Sequence, residues 1–374
     1  MRIVADDRIP FLKGALEPFA TVDYLPGSEI SHLHVKDADA ILVRTRTRCN
    51  AELLEGSRVK FIGTATIGYD HIDTEYCQEN HIAWKNAPGC NAPSVNQYVA
   101  SVLVYLSRKF GFSLRDRALG VVGVGNAGSR VVSTAEWMGM RVYLCDPPRV
   151  RDEGICGFIS LEGIVRECDI ITFHVPLNMY GEDRTWHMID KALLDQLNPG
   201  TFIINTSRGE VADSRALIGA IDEGKLAGLV LDVWENEPRI DTGLLNRCVL
   251  GTPHIAGYSA DGKARGTTMV VRELSRFFDL GMDDWEPGMI PGPPEPTINV
   301  ECLDRDEADI LSDIISATYK VEEDDRRFRS DPANFEKQRG NYPLRREFRA
   351  YTLNMMNCWP EIKRICRKLG FKVA

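Results

Sequence analysis

Apolar and polar positions alternate in blocks along the first 95 residues. Arg2–Ala5, Ala40–Val43 and Phe61–Thr64 are short apolar runs, each followed by polar turn residues. They predict buried strands of a small α/β domain with a parallel sheet. Residues 92–110 read as one long helix with Pro93 in its first turn, where a missing N–H costs nothing. Six further strand-like runs follow at Leu119–Val124, Arg141–Cys145, Ile170–His174, Thr201–Asn205, Leu229–Val233 and Val249–Gly251. Helical stretches lie between several of them, the first at 127–138. This is the rhythm of a doubly wound sheet. Residues 262–281 predict another long helix. Glu286–Pro296, rich in Pro and Gly, reads as a linker. The tail holds a helix-like segment (Glu307–Tyr319), a charge cluster (Glu322–Arg329) and an amphipathic stretch around Glu361–Lys368.

Composition narrows the partners more than the fold. The 374 residues suffice for two or three domains, and 44% hydrophobic with 26% charged is an ordinary globular balance. A net charge of -9 argues against a nucleic-acid partner bound by phosphate neutralisation. No stretch approaches the roughly 20 apolar residues of a membrane span. The N-terminus carries acids where a signal peptide carries its apolar segment, so a cytoplasmic protein is expected. The ten cysteines are scattered with no Cys-x-x-Cys pair. They read as free, mostly buried thiols, and no metal site is expected.

One glycine-rich string changes the picture. Gly123-Val124-Gly125-Asn126-Ala127-Gly128 follows a predicted strand and opens a helix. Alone the string is weak; in that context it fits a dinucleotide site. Gly123 permits the turn, Gly125 admits a pyrophosphate, and Gly128 lets helix and strand pack. The helix N-terminus offers N–H groups to phosphate. Asp146 ends the next strand, about 18 residues beyond Gly128. An acid there accepts ribose hydroxyls and repels a 2′-phosphate, favouring NAD over NADP. Arg149 nearby works against that preference. The alternative is that Asp146 only caps a turn before Pro147-Pro148.

Three later segments supply what hydride removal from a secondary alcohol requires: a base, a carboxylate-gripping cation and a group that tunes the base. Asn205-Thr206-Ser207-Arg208-Gly209 puts an arginine, whose planar fork matches a carboxylate, on a loop after a strand. Asp232-Val233-Trp234-Glu235-Asn236-Glu237-Pro238 is a strand end followed by an acidic turn. Thr252-Pro253-His254-Ile255-Ala256-Gly257-Tyr258 places a histidine just past another strand. All three lie beyond carboxyl ends of strands, where open α/β sheets build sites.

Together these segments resemble the D-isomer-specific 2-hydroxyacid dehydrogenases. The resemblance implies Arg208, Glu237 and His254 as catalytic residues and NAD as cofactor. Finer matches are similar to the erythronate-4-phosphate dehydrogenases: Phe61 to His71, Pro88-Gly89-Cys90-Asn91, Leu144 to Pro148, His254 to Tyr258, Gly262 to Thr268, and in the tail Phe335-Glu336-Lys337 and Asn341 to Glu347. Such enzymes oxidise 4-phospho-D-erythronate during pyridoxal 5′-phosphate synthesis.

The resemblance implies an α/β fold with a Rossmann-type NAD domain (96–258), a flavodoxin-like substrate or lid domain (1–95 plus 259–285) and a C-terminal α+β dimerisation domain (286–374), hence a homodimer. It implies NAD contacts from Gly123, Gly125, Asn126, Ala127, Gly128, Asp146, Val175, Thr206, Ser207, Arg208, Asp232 and Gly257. Thr45, Thr66 and Tyr258 would touch substrate. Arg44, at the end of an apolar run beside Thr45, is the expected phosphate partner. Arg46 ranks second, and Arg345 and Arg346 serve only if the tail covers the site. Tyr69 is bulkier than the resemblance leads one to expect, and Gln97 stands where an acid is expected. The rival readings are a 3-phosphoglycerate dehydrogenase and a non-catalytic NAD sensor on the same fold.

Overall fold

The structure, a computed structural model, describes residues 1–154 and 156–374. It forms two compact units, Met1–Asn91 with Ser259–Pro291, and Ala92–Tyr258 with Gly292–Ala374.

The first unit holds β1 (Arg2–Asp6), β2 (Thr21–Leu25), β3 (Ala40–Val43), β4 (Phe61–Thr64) and β5 (Ala83–Lys85). All pairings are parallel, in the order β2-β1-β3-β4-β5, the flavodoxin-like order. Successive residues feed opposite faces. Val4, Ile41, Val43 and Ile62 pack on one side, and Ile3, Ala5, Leu42 and Phe61 on the other. Both faces are covered, which is why these strands read as unbroken apolar runs. The helix Ala260–Phe278 covers the second face with Val270, Val271 and Leu274. It comes so close that a side chain at Gly63 would meet Val270 at 2.6 Å. Arg44–Thr45 and Ala65–Thr66 directly follow β3 and β4, at the carboxyl edge of this sheet.

The second unit carries β6 (Ala118–Val122), β7 (Arg141–Cys145), β8 (Ile170–Phe173), β9 (Thr201–Asn205), β10 (Leu226–Leu231) and β11 (Leu250–Gly251). These are parallel in the order β11-β10-β9-β8-β6-β7, a doubly wound sheet whose order reverses between β6 and β8. Several runs end as strands sooner than the apolar pattern suggests. Val124 and Val233 lie in loops, because Gly123 (φ +86°) breaks the first run and a bend ends the other.

The tail forms a three-stranded parallel sheet of β12 (Thr297–Glu301), β13 (Thr352–Met356) and β14 (Lys372–Val373), with helices between the strands. From Gly292 it belongs to the second unit and does not form a compact unit of its own. The reason is a shared core. Tyr98, Val99, Val102 and Leu106 of the helix Ala92–Phe110 lie in one apolar cluster with Ile310, Ile314, Ile315, Leu353 and Ile362. Polar bonds reinforce the join. Ser101 Oγ donates to the Tyr319 carbonyl (3.0 Å), the Gly251 amide donates to Asp325 (2.7 Å), and Arg329 donates to the carbonyls of Leu245 and Cys248. Part of the tail's apolar surface is therefore buried within the second unit itself.

Two sequence expectations change here. Cys302 and Cys358 are bonded to each other, joining the end of β12 to the turn after β13, so not all ten cysteines are free. Their separation of 56 residues gave no local sign of the pairing. Gln97 is fully buried and donates its amide to the Arg346 carbonyl (3.0 Å) and to Thr318 (3.4 Å). Both partners offer acceptors, so an amide serves where an ionised acid would not. Tyr69 rests its ring on Trp84, with centroids 4.9 Å apart, and is half exposed.

Candidate active site

Six loops at the carboxyl ends of β6–β11 carry the site of the second unit. After β6, a side chain at Gly123 would strike the His174 carbonyl at 2.7 Å, and one at Gly128 would strike the Gly123 carbonyl at 2.0 Å. These two glycines are packing requirements. Gly125 faces open space, with nothing within 4 Å of a Cβ. The helix Gly128–Trp137 starts from Ala127, which has no side chain able to cap it. Open backbone at Gly125 and an uncapped helix end beside Asn126 fit a pyrophosphate.

Asp146 follows β7 and caps the short helix Pro147–Glu153. Its carboxylate accepts from the amides of Arg149 (3.2 Å) and Val124 (2.7 Å). The capping alternative is thus realised, and it ties this acid to the glycine loop. It does not exhaust the group, since each carboxylate oxygen has a second lone pair for a ribose hydroxyl. Arg149 is paired with Glu153 and donates to the Val124 carbonyl. Replacement by alanine would therefore also release the glycine loop. Asp146→Asn removes the charge and keeps one acceptor. It is expected to narrow the preference for NAD over NADP about tenfold by relieving phosphate repulsion, read as the ratio of kcat/KM for the two cofactors. An unchanged ratio would show that this acid is only a cap.

His174 and Val175 follow β8 at the reversal of strand order. His174 lies between Thr172 (3.0 Å) and Thr206 (3.3 Å), and burial pushes its imidazole down to about 4, so it is neutral. After β9, Asn205 braces the next loop: its Oδ1 accepts from the Ser207 amide and hydroxyl, and its Nδ2 donates to the Arg208 carbonyl. Arg208 itself is half-buried, with Nη1 on the Ser207 carbonyl at 3.0 Å. Gly209, absent from the expected site residues, is what lets this loop lie against the acidic turn. Any side chain there would stand 2.0 Å from the Trp234 carbonyl.

The acidic turn offers two glutamates, and the structure separates them. Glu237 Oε2 lies 2.8 Å from His254 Nδ1, and its Oε1 accepts from the Trp234 amide at 2.9 Å. Glu235 pairs instead with His187 at 2.7 Å and accepts from the Ser214 amide. Burial raises the Glu237 carboxyl, but the facing His254, the Trp234 amide and the nearby Arg339 outweigh it. The group is held below the ordinary carboxylate range. It is therefore ionised throughout neutral pH.

His254 sits at φ +56°, the left-handed region. That conformation costs a non-glycine residue on the order of 1–2 kcal/mol. Its amide donates to the Asp232 carbonyl at 2.6 Å. The Asp232 carboxylate then accepts from the amides of Ile255 (2.7 Å) and Ala256 (2.8 Å) and from Thr252 Oγ1 (2.6 Å). Expected among the NAD contacts, Asp232 is 1% exposed and spends its carboxylate on the loop that carries His254. Burial raises its carboxyl in spite of these donors.

Gly257 and Tyr258 continue that loop. The Tyr258 ring meets Tyr342 edge-on (centroids 6.0 Å) and carries the Arg339 guanidinium at 5.4 Å. Arg339, on the tail helix Phe335–Gly340, is a cation that the sequence motifs do not reveal. It is mostly buried and is paired with Glu336 at 3.3 Å. Of the two tail arginines named from sequence, Arg345 lies against the loop that carries His254. Arg345 is buried against backbone carbonyls, and the Arg346 carbonyl accepts from Gln97.

In the first unit, Arg44 is half-buried with Nη1 on the Arg8 carbonyl (3.2 Å), while Thr45 is exposed in the turn that follows. Thr66 Oγ1 lies 2.7 Å from Thr64 Oγ1 and donates to the Gly68 carbonyl at 2.9 Å. His71 Nε2 meets Thr64 at 3.1 Å, and burial pushes its imidazole down.

Known proteins are similar to this chain in sequence and fold. Residues 94–256 match the D-isomer specific 2-hydroxyacid dehydrogenase, NAD binding domain, and residues 290–370 match a domain of unknown function. The erythronate-4-phosphate dehydrogenase of Bacteroides thetaiotaomicron is 48% identical over 94% of this chain and 99% of its own length. That of Pseudomonas putida is 40% identical over 99% of both. Among solved structures, the Aquifex aeolicus D-lactate dehydrogenase complexed with NAD and lactic acid matches with TM-score 0.63 and 28% identity. It covers 78% of this chain and 100% of its own. The NAD+-bound 3-phosphoglycerate dehydrogenase of Entamoeba histolytica matches with TM-score 0.64 and 26% identity, over 78% and 99%. With its glycine loop, its doubly wound sheet and relatives matched over nearly their whole length, the chain belongs to the erythronate-4-phosphate dehydrogenase family of NAD-dependent D-isomer specific 2-hydroxyacid dehydrogenases.

Proposed function

We propose that the protein oxidises C2 of 4-phospho-D-erythronate, giving 2-oxo-3-hydroxy-4-phosphobutanoate, NADH and a proton, as a step toward pyridoxal 5′-phosphate. NAD supplies the hydride acceptor when bound, held by the backbone from Gly123 to Gly128, by Asp146, and by Val175, the Thr206–Arg208 loop and Gly257. In this reading Arg208 grips the substrate carboxylate and polarises the developing carbonyl. His254 Nε2 takes the C2 hydroxyl proton. Glu237 orients the ring through Nδ1 and offsets the charge it gains.

The observation that carries the reading is the His254–Glu237 contact of 2.8 Å in a chain 40–48% identical, over nearly full length, to enzymes of that name. The test is NADH formation from 4-phospho-D-erythronate beside 3-phosphoglycerate. A preference for the latter would move the protein to the other phosphorylated hydroxy acid, and no turnover with either would favour an NAD sensor.

The ion pair makes a pH prediction. Glu237→Gln removes an anion that favours imidazolium, so more acid is needed to protonate the base. The acid limb of kcat/KM is expected to move to lower pH while kcat falls. An unmoved limb would show that Glu237 only orients the ring.

The substrate is a double anion, and a buried phosphate without a cation is prohibitively costly. Thr45, Thr66 and Tyr258 are proposed as further contacts, with Arg44 as the phosphate partner. Arg44→Ala is then expected to raise KM for the phosphorylated substrate about a hundredfold, as for a lost charge-assisted pair, with little change for D-erythronate. Equal losses would give Arg44 to the fold or to the carboxylate.

A cytoplasmic homodimer is proposed from the family resemblance, and no helix among the described residues is long and apolar enough to cross a membrane. Sedimentation as a monomer at micromolar concentration would refute the assembly.

A further inference from the structure

We infer that Arg345, contributed by the tail, is a positioning residue for His254: its guanidinium fixes the carbonyls of Ile255 and Ala256 while Asp232 fixes their amides. Arg345 Nη2 lies 2.5 Å from the Ala256 carbonyl, 3.2 Å from the Ile255 carbonyl and 2.5 Å from Ser94 Oγ. Ser94 Oγ donates to the same Ala256 carbonyl at 3.1 Å. The two residues after His254 are thus gripped at their carbonyls by Arg345 and Ser94. On their nitrogen side the Asp232 carboxylate holds them at 2.7 and 2.8 Å.

A left-handed residue keeps its conformation only where its surroundings over-determine it. Here the surroundings are a buried anion from one side and a buried cation from the other.

The cation is held in its turn. The guanidinium lies over the Tyr319 ring at 4.6 Å and near the Tyr342 ring at 5.8 Å. The hydroxyls of both tyrosines donate to buried Asp324, at 2.8 and 2.6 Å, and Arg327 pairs with the same carboxylate. Burial works against the charge on Arg345, but the tyrosines and Asp324 outweigh it and keep the group protonated. Bonds from a charged donor to carbonyls are stronger than neutral ones. They are also local: they end on the two residues next to His254, whereas the glycine loop and Asp146 are built by other strands. Loss of the grip should therefore move the base and leave the glycine loop and Asp146 in place.

The inference rests on the proposed role of His254, so the test begins with wild-type and His254→Ala turnover of 4-phospho-D-erythronate. An inactive wild type, or an active His254→Ala, overturns that role and this inference with it. In an active enzyme, Arg345→Met is expected to lower kcat by about 30-fold or more, since displacing a reacting group by about 1 Å costs on that order. NADH affinity, read by fluorescence titration, should stay within about twofold, a split that loss of folded protein does not give. Arg345→Lys, which keeps one charged donor, should recover to within about tenfold of wild type. Should Arg345→Met fail to fold, Arg345→Lys and Ser94→Ala decide: each is expected to lower kcat by about threefold or more at wild-type NADH affinity. Wild-type kcat per folded molecule in the variants that fold, whatever their melting temperature, overturns the inference and leaves Arg345 a stabilising residue only.

Discussion

Replacing His254 with alanine is expected to lower kcat by roughly 10²–10⁴-fold, the usual worth of a positioned general base, while NADH binds as in the wild type. A loss of this size corresponds to about 3–5 kcal/mol of transition-state stabilisation. The cofactor affinity should hold because the glycine loop and Asp146 sit on β6 and β7, and their bonds do not involve the histidine. Stopped-flow measurement of NADH formation and a fluorescence titration separate the two effects. Near-normal turnover would return His254 to a structural role and leave the proton without its proposed acceptor.

Ending the chain at Pro291 is expected to abolish both folding of the second unit and activity, a larger effect than the loss of an assembly contact. The cut removes Ile310, Leu311, Ile314, Ile315, Leu353 and Ile362 from the cluster that includes Tyr98, Val102 and Leu106. Burying each large apolar side chain is worth about 1.5–3 kcal/mol. Re-exposing even four or five therefore rivals the 5–15 kcal/mol that holds a typical domain together. The shortened chain should show no cooperative melting of the second unit and no NADH binding. A soluble shortened protein that still binds NADH would mean that the tail is an independent domain after all.

The sequence exposes the two large sheets because their strands are buried on both faces. Ala40–Val43 is apolar throughout and Thr201–Asn205 is apolar between its two polar ends, and nothing competes with that reading. The edge strands Thr21–Leu25 and Ala83–Lys85 escape notice because half-burial lets Asp23 and Lys85 break the run. The tail strands Thr297–Glu301 and Thr352–Met356 escape for the same reason, with Thr297, Asn299, Glu301 and Asn354 on an open face. Site residues that follow a strand and sit in a short motif are legible: the glycine loop, Arg208 and His254. Which of Glu235 and Glu237 meets His254 is a matter of turn geometry, and two acids in one turn look alike until His187 is found on the other. Arg339, and the grip of Arg345 on the His254 loop, are beyond local reading. Both arginines lie about 80–90 residues from the loop they touch, on short helical or irregular segments that no periodicity marks.

Both units are closed by chain that arrives late. The first sheet waits for the helix Ala260–Phe278 to cover Phe61 and Leu42, and the cluster around Tyr98 waits for Ile310 to Ile362. On a ribosome, where chain emerges N-terminus first, the first core cannot be sealed until Phe278 is out, nor the second until Ile362 is. The helix Ala92–Phe110 in particular spends most of synthesis with part of its apolar face uncovered. Its long-range partners make the last steps of folding slow relative to local helix formation. The nascent chain is thus exposed to mispairing and to capture by chaperones for longer than a protein whose domains close one after another.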